Sequence, residues 1–134
     1  MCGVGEARKL IERALFNYLI CNQDDHAKNF AFLCDDNDNW RLSPFYDVVY
    51  SPSAYDEHMT AFNGNGFGPN KSSLVLMARQ ASISTKEIQP MIERIMDSLA
   101  NADTVLKSVN VSSTTLKTIT STINDKWLQL KEQL

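Results

Sequence analysis

Residues 16–30 run Phe16-Asn17-Tyr18-Leu19-Ile20-Cys21-Asn22-Gln23-Asp24-Asp25-His26-Ala27-Lys28-Asn29-Phe30, and the stretch changes character twice. Its first part closes a pattern in which Ala7, Leu10, Ile11, Ala14, Leu15, Tyr18 and Leu19 recur at three- and four-residue steps, the signature of one buried helix face. The spacing predicts a helix over 6–20 that leads into Cys21. At Asn22-Gln23-Asp24-Asp25-His26 the pattern stops, because a helix core does not bury consecutive polar side chains, and a loop is expected. Apolar character returns at Phe30-Ala31-Phe32-Leu33 and again at Trp40-Arg41-Leu42. The residues between, Asp35-Asp36-Asn37-Asp38-Asn39, tolerate left-handed backbone, so 30–42 reads as a β-hairpin.

Beyond the hairpin, Ser43-Pro44 ends the second strand, since a residue before proline leaves helical geometry and proline cannot donate to a ladder. Phe45-Tyr46-Asp47-Val48-Val49-Tyr50 follows, then an irregular segment over 51–70 carrying Pro52, Gly64, Gly66, Gly68 and Pro69. Loops of that length are usually functional or mobile, and an ordered loop along an edge, with a mobile tip near Gly64, is expected. The rest reads as helical. One short helix covers 71–81. Ser84 and Glu87 match a capping box for the next helix, although Pro90 would delete a hydrogen bond there and could move the start to Gln89. The stripe Ile88, Met91, Ile92, Ile95, Leu99, Ala102, Leu106, Val109 predicts one long core helix. Ser112 or Ser113 caps a last helix through Leu116, Ile119, Ile123, Trp127 and Leu130. Gly3-Val4-Gly5 reads as a terminal linker. The expected fold is mainly α with a short β-hairpin, a single domain over 1–134.

Composition bounds the function. The chain has 134 residues, 43% hydrophobic and 22% charged, the profile of one globular domain with a single core. A net charge of -3 and a pI near 5.3 argue against direct nucleic-acid binding, which rests on Lys and Arg neutralising phosphates. No apolar run approaches a membrane span and the N-terminus lacks a signal-peptide core, so a cytoplasmic location is expected. Cys2, Cys21 and Cys34 give no disulfide framework and, with only His26 and His58, no zinc spacing.

The chemistry concentrates in 22–29 and 46–47. Phosphoryl transfer needs an aspartate beside the attacking hydroxyl and oxygen ligands for Mg²⁺ at the nucleotide phosphates. In protein kinases the aspartate and a metal-binding asparagine share one loop as Asp-x-x-x-x-Asn, and a second metal-binding aspartate follows a hairpin. Asp24 and Asn29 have that spacing, and Asp47 follows the predicted hairpin. Either aspartate alone would be an ordinary turn former; their joint order gives them chemical meaning. Two further segments fail as sites. Asp35–Asn39 lacks the Gly and closing Glu of a calcium loop, and Gly64-Asn65-Gly66-Phe67-Gly68 lacks the frame and Lys-Ser/Thr of a phosphate loop.

Residues 16–30 resemble the catalytic-loop segment of HipA-family toxin kinases, where a helix runs into Asp-x-His-x-Lys-Asn-Phe. Trp40-Arg41-Leu42-Ser43-Pro44-Phe45-Tyr46-Asp47 resembles the same family's Arg-Leu-x-Pro-x-Tyr-Asp. The resemblance implies a protein-kinase-like C-terminal lobe of a serine/threonine kinase that uses Mg²⁺ and ATP. It implies that Asp24 orients or deprotonates the acceptor hydroxyl, that Asn29 and Asp47 hold Mg²⁺, that His26 braces the loop, and that Lys28 supplies charge to phosphate. It also implies a toxin role, a DNA-binding antitoxin as partner and an aminoacyl-tRNA synthetase as substrate.

A kinase further needs a lobe with a phosphate-covering loop and a lysine, and neither fits before Glu6. The expectation is therefore an incomplete catalytic unit, with negligible transfer until an N-terminal lobe or companion chain completes it. An apolar patch near Phe45, Tyr46 and Val48, exposed by that missing lobe, would favour self-association. The competing reading is a noncatalytic helical interaction module in which Asp24 and Asp47 are only structural.

Overall fold

The amphipathic N-terminal pattern forms helix α1, Val4–Leu19, in a computed structural model that describes residues 3–134. Cys2 lies outside the described residues. The expected linker at Gly3-Val4-Gly5 is instead the start of α1. Gly3 is extended and its carbonyl accepts the amides of Glu6 at 3.0 Å and Ala7 at 3.3 Å, which opens the first turn. Ile11, Ala14, Leu15, Tyr18 and Leu19 are buried on one face, as their spacing requires.

The hairpin pairs β1, Phe32–Cys34, with β2, Trp40–Leu42, antiparallel, in the register Phe32↔Leu42, Leu33↔Arg41, Cys34↔Trp40. Its turn is held by one side chain. The Asp35 carboxylate accepts the amides of Asn37 at 2.9 Å and Asn39 at 3.0 Å, and Asp38 takes a left-handed backbone. Hydrogen bonds from the Asn39 backbone and side chain hold the Asp35 carboxyl below its ordinary value. The acidic run thus closes a turn rather than a cation site.

Helix α2, Lys71–Gln80, is capped reciprocally: Asn70 accepts the Ser73 amide at 2.9 Å while Ser73 Oγ accepts the Asn70 amide at 2.8 Å. Ser84 and Glu87 form the expected capping box, but it opens a 3₁₀ turn over Thr85–Glu87 that runs directly into α3, Ile88–Leu99. Pro90 then sits in the first turn of α3, where a missing amide costs no helix hydrogen bond.

The single long helix expected over 88–109 is two. After α3 the chain bends at Ala100-Asn101 and restarts as α4, Ala102–Ser108. At the bend the Ala100 amide reaches only to Asp97, and Asn101 leaves helical geometry. The bend lays α4 against the final helix α5, Ser113–Lys131, whose N-terminus is capped by Ser112 Oγ on the Thr115 amide at 3.2 Å. Because α4 turns away from the core, Val105 and Val109 are exposed, where one continuous helix would have buried the same stripe.

The protein is thus mainly helical with one two-stranded antiparallel hairpin. The core is built from α1, α2, α3 and α5, with Leu15, Leu19, Met91, Ile92 and Leu130 wholly buried. Each such side chain is worth about 1.5–3 kcal/mol of transfer free energy. Arg8 binds Glu87 at 2.7 Å, fixing the 3₁₀ turn to α1. Among the described residues no helix is long and apolar enough to cross a membrane, and Cys21 and Cys34 are free thiols.

The patch expected at Phe45, Tyr46 and Val48 is largely covered. Phe45 packs edge-on against Phe16 at 6.0 Å with Arg13 over its face at 5.0 Å, and Val48 is half-buried, which leaves Tyr46 exposed. Val49 is exposed beside it, and exposed apolar side chains also lie on the hairpin, at Phe32, Leu33 and Trp40, and in the loop that follows, at Tyr55, Met59 and Phe67.

Candidate functional site

Helix α1 delivers the chain to Cys21, which takes a left-handed backbone and starts the loop. The five polar residues that follow are not a solvated loop. Asn22 and Gln23 are each 1% exposed and Asp25 is 0% exposed, whereas Asp24 between them is exposed. Buried polar groups persist only with partners, and here the partners are far away in sequence. Asn22 Nδ2 donates to Asn17 Oδ1 at 3.1 Å and to the Asp47 carbonyl at 3.2 Å. Gln23 Oε1 accepts the Ser53 amide at 2.6 Å and its Nε2 donates to Asp56 at 2.7 Å. The Asp25 carboxylate takes His58 Nδ1 at 3.0 Å and the Thr60 amide at 3.0 Å, and Thr60 Oγ1 donates to the Asp25 carbonyl.

The second arm, residues 43–51, is docked onto the first. Ser51 pairs with Asn22 in an isolated parallel bridge, giving Gln23 N to Ser51 O at 3.0 Å and Ser51 N to Cys21 O at 3.0 Å. The Tyr46 hydroxyl donates to the Lys28 carbonyl at 2.7 Å. Asp47, exposed, adopts φ 54, a left-handed conformation that aspartate tolerates better than most residues. Asn29, in the 3₁₀ turn Ala27–Asn29, donates its amide to the Asp24 carbonyl at 3.0 Å. The backbones around Asp24, Asn29 and Asp47 are therefore tied into one unit, while among the described residues no hydrogen bond joins their side chains to one another. Lys28 is exposed, and the His26 ring is half-buried with Nδ1 lacking a partner. The hydrogen bonds that fasten this loop to 58–60 run through Asp25 and through the Gln23 carbonyl, which accepts the Met59 amide at 3.2 Å.

Two carboxylates and one amide oxygen suit a hard cation such as Mg²⁺, which takes oxygen donors and keeps several waters. Asn29 spends its amide nitrogen on the Asp24 carbonyl, so its oxygen is the atom that would be offered to such a cation, and Asp24 and Asp47 are exposed. Among the described residues no three His, Cys, Asp or Glu gather as a metal site.

Asp25, His58 and Thr60, together with Gln23, Asp56 and Lys126, are absent from the sequence-derived site. The available signal was the repetition of acids at 24 and 25, one of which had to point inward. Burial raises the Asp56 carboxyl, but hydrogen bonds from Gln23 and Lys126 outweigh it and hold it below its ordinary 3.8. A depressed folded value means the stabilisation is complete above the ordinary 3.8 and is lost as pH falls through the folded value. Acid unfolding followed by circular dichroism should therefore separate wild type from Asp56→Asn above that range and bring the curves together below it. Curves that stay equally spaced to the lowest pH would contradict this.

The sequence has counterparts among known proteins. The model of the family described as "HipA-like C-terminal domain" matches residues 3–103. A "Putative kinase" of Haemophilus influenzae is 32% identical over 82 residues, 61% of this chain and 21% of that protein. "Putative kinase Y4mE" of Sinorhizobium fredii is 41% identical over 49 residues, 37% of this chain and 11% of that protein. The chain thus spans about a fifth or less of these relatives. The matched span holds both arms of the site, and the chain belongs to the HipA-like C-terminal domain family.

Proposed function

We propose that this chain is the catalytic-loop-bearing lobe of a protein serine/threonine kinase and that Asp24, Asn29 and Asp47 serve Mg²⁺-dependent phosphoryl transfer from ATP. The observation that carries the reading is the docking of the two arms, in which Asn22 holds the Asp47 carbonyl and Tyr46 holds the Lys28 carbonyl. Phosphoryl transfer is mostly positioning and charge stabilisation, and two loops fixed backbone to backbone supply positioning. In this reading Asp24 orients the acceptor hydroxyl and receives its proton. Asn29 and Asp47 hold Mg²⁺, which when bound neutralises charge on the phosphates. Lys28, exposed beside them, adds positive charge toward the nucleotide, and His26 shapes the start of the 3₁₀ turn. The rest of the nucleotide site belongs to an N-terminal lobe or companion chain. A toxin role, a DNA-binding antitoxin and an aminoacyl-tRNA synthetase substrate form the outer part of the same proposal.

Thermal melting with and without Mg²⁺ and ATP tests it. A ligand at roughly ten times its Kd adds about 1.4 kcal/mol, or about 4 °C for a domain of this size. The expected result is such a rise with Mg²⁺ and ATP together, and none for Asp47→Ala measured against its own unliganded melt. With the N-terminal lobe or companion chain present, no rise in the wild type, or a rise that survives Asp47→Ala, would leave the noncatalytic module as the better account, with exposed Phe32, Leu33 and Trp40 as its contact surface.

A further inference from the structure

Helix α5 lies beyond the residues that the family model matches, yet its polar side chains reach the back of the site. Lys126 is 6% exposed, and its ammonium donates to Asp56 at 3.2 Å with the Tyr18 ring 5.4 Å away. Asp56 uses the same oxygen to accept Gln23 Nε2 at 2.7 Å, and Gln23 precedes Asp24. Four residues before Lys126, Thr122 Oγ1 meets the Tyr50 hydroxyl at 3.3 Å, and three after it Gln129 accepts the Tyr18 hydroxyl at 3.1 Å. These spacings put Thr122, Lys126 and Gln129 on one stripe of α5. The stripe touches Asp56, the arm after Asp47, and the helix that delivers the loop, and it reaches Gln23 through Asp56.

We propose that Lys126 is a positioning residue: through Asp56 and Gln23 it holds the backbone that presents Asp24. A buried ammonium is costly unless paired, and a leucine would fill the same space without that cost. What lysine adds is a directed bond to Asp56, whose other partner is the loop. Gln23 is otherwise fastened at both ends, with its Oε1 on the Ser53 amide and its carbonyl on the Met59 amide at 3.2 Å. Losing Lys126 therefore frees Asp56 and slackens the Gln23 anchorage first, well before the α1–α3 core. The catalytic purpose of this arrangement rests on the kinase reading; the mechanical link does not.

The test compares wild type, Lys126→Met and Asp56→Asn by amide hydrogen exchange and ¹⁵N-resolved NMR. Asp56→Asn alters a side chain that is 69% exposed, so it reports even if Lys126→Met does not fold. Exchange at Ser53 and Met59 is expected to speed up on the order of tenfold in both variants, a local opening of the kind that leaves other cooperative units intact. The Gln23 and Asp24 amide resonances should move, while Ile92 and Ile95 in α3 keep wild-type exchange. Mg²⁺ with ATP should bind about tenfold more weakly to Lys126→Met, the size expected of coupling through packed groups. Unchanged exchange at Ser53 and Met59, or faster exchange spread equally into α3, would overturn the proposal. The exchange arm needs no nucleotide. A wild type that fails to bind Mg²⁺ and ATP even with the N-terminal lobe or companion chain present therefore sinks the kinase reading alone, and a wild type that binds them while both variants match it in exchange and Kd sinks this inference alone.

Discussion

Replacing Asp25 by alanine is expected to cost about 3–5 kcal/mol, the range for removing one partner of a buried charged or strongly polar pair. The carboxylate is wholly buried and accepts His58 Nδ1 and the Thr60 amide, both at 3.0 Å. Truncation strands the buried His58 donor and frees the half-buried Thr60 amide, and a stranded buried donor costs about 1–3 kcal/mol. His58 Nε2 is already buried without a partner, so the ring has no second bond to fall back on. Against a typical total of about 5–15 kcal/mol the loss is large. Urea unfolding is the measurement, with a lower midpoint and unchanged slope expected. Asp25→Asn, which keeps one acceptor, should lie between. A loss below about 1 kcal/mol, the size of an ordinary surface substitution, would mean that this pair does not anchor the loop.

Gly68→Ala should be comparably damaging for a steric reason. Gly68 has φ +137, a conformation that side chains rarely adopt, and a Cβ there would run into the Tyr18 ring, 3.0 Å from Cδ2 and 3.1 Å from Cζ with Cε2 closer still. The ring has no room to retreat. It lies against His58 at 5.8 Å and Phe62 at 6.0 Å, and its hydroxyl is bonded to Gln129 at 3.1 Å. The enclosure is deep enough that burial pushes the Tyr18 hydroxyl up to about 12. Backbone strain of about 1–3 kcal/mol and overpacking of about 1–3 kcal/mol act together. Thermal melting should therefore fall by roughly 8 °C or more. Gly64→Ala is the control, because Gly64 has φ +82 but nothing within 4 Å of its Cβ position. If Gly68→Ala melts no lower than Gly64→Ala, the contact with Tyr18 is not limiting.

Local periodicity made much of this fold legible. Helix α1, the hairpin, α2 and α5 appear where apolar spacing and turn residues place them. The break at Ala100-Asn101 was hidden because the apolar stripe runs through it unbroken, and only packing of α4 on α5 ends the helix. Spacing and order singled out Asp24, Asn29 and Asp47, and the structure docks the two arms that carry them. Asp25 was not, since what marks it is a histidine at 58 and a threonine at 60. Lys126 was hidden too: in a helix with apolar residues at 123, 127 and 130 it reads as part of the solvated face, and its carboxylate partner sits in a loop that no periodicity describes. Buried polar links of this kind belong to tertiary structure, and a linear pattern carries little trace of them.

The left-handed turn at Asp47 narrows what that position can accept. Glutamate offers the same charge, but its longer side chain gains no local hydrogen bond to offset such a backbone; asparagine and glycine take up the turn readily yet bring no anion. Under the proposed kinase reading, in which Asp47 holds Mg²⁺, aspartate is the common residue that would satisfy both the backbone and the dication. On that reading two independent demands meet at one position, whereas a chain with no need for the cation could carry asparagine or glycine there without disturbing the bend.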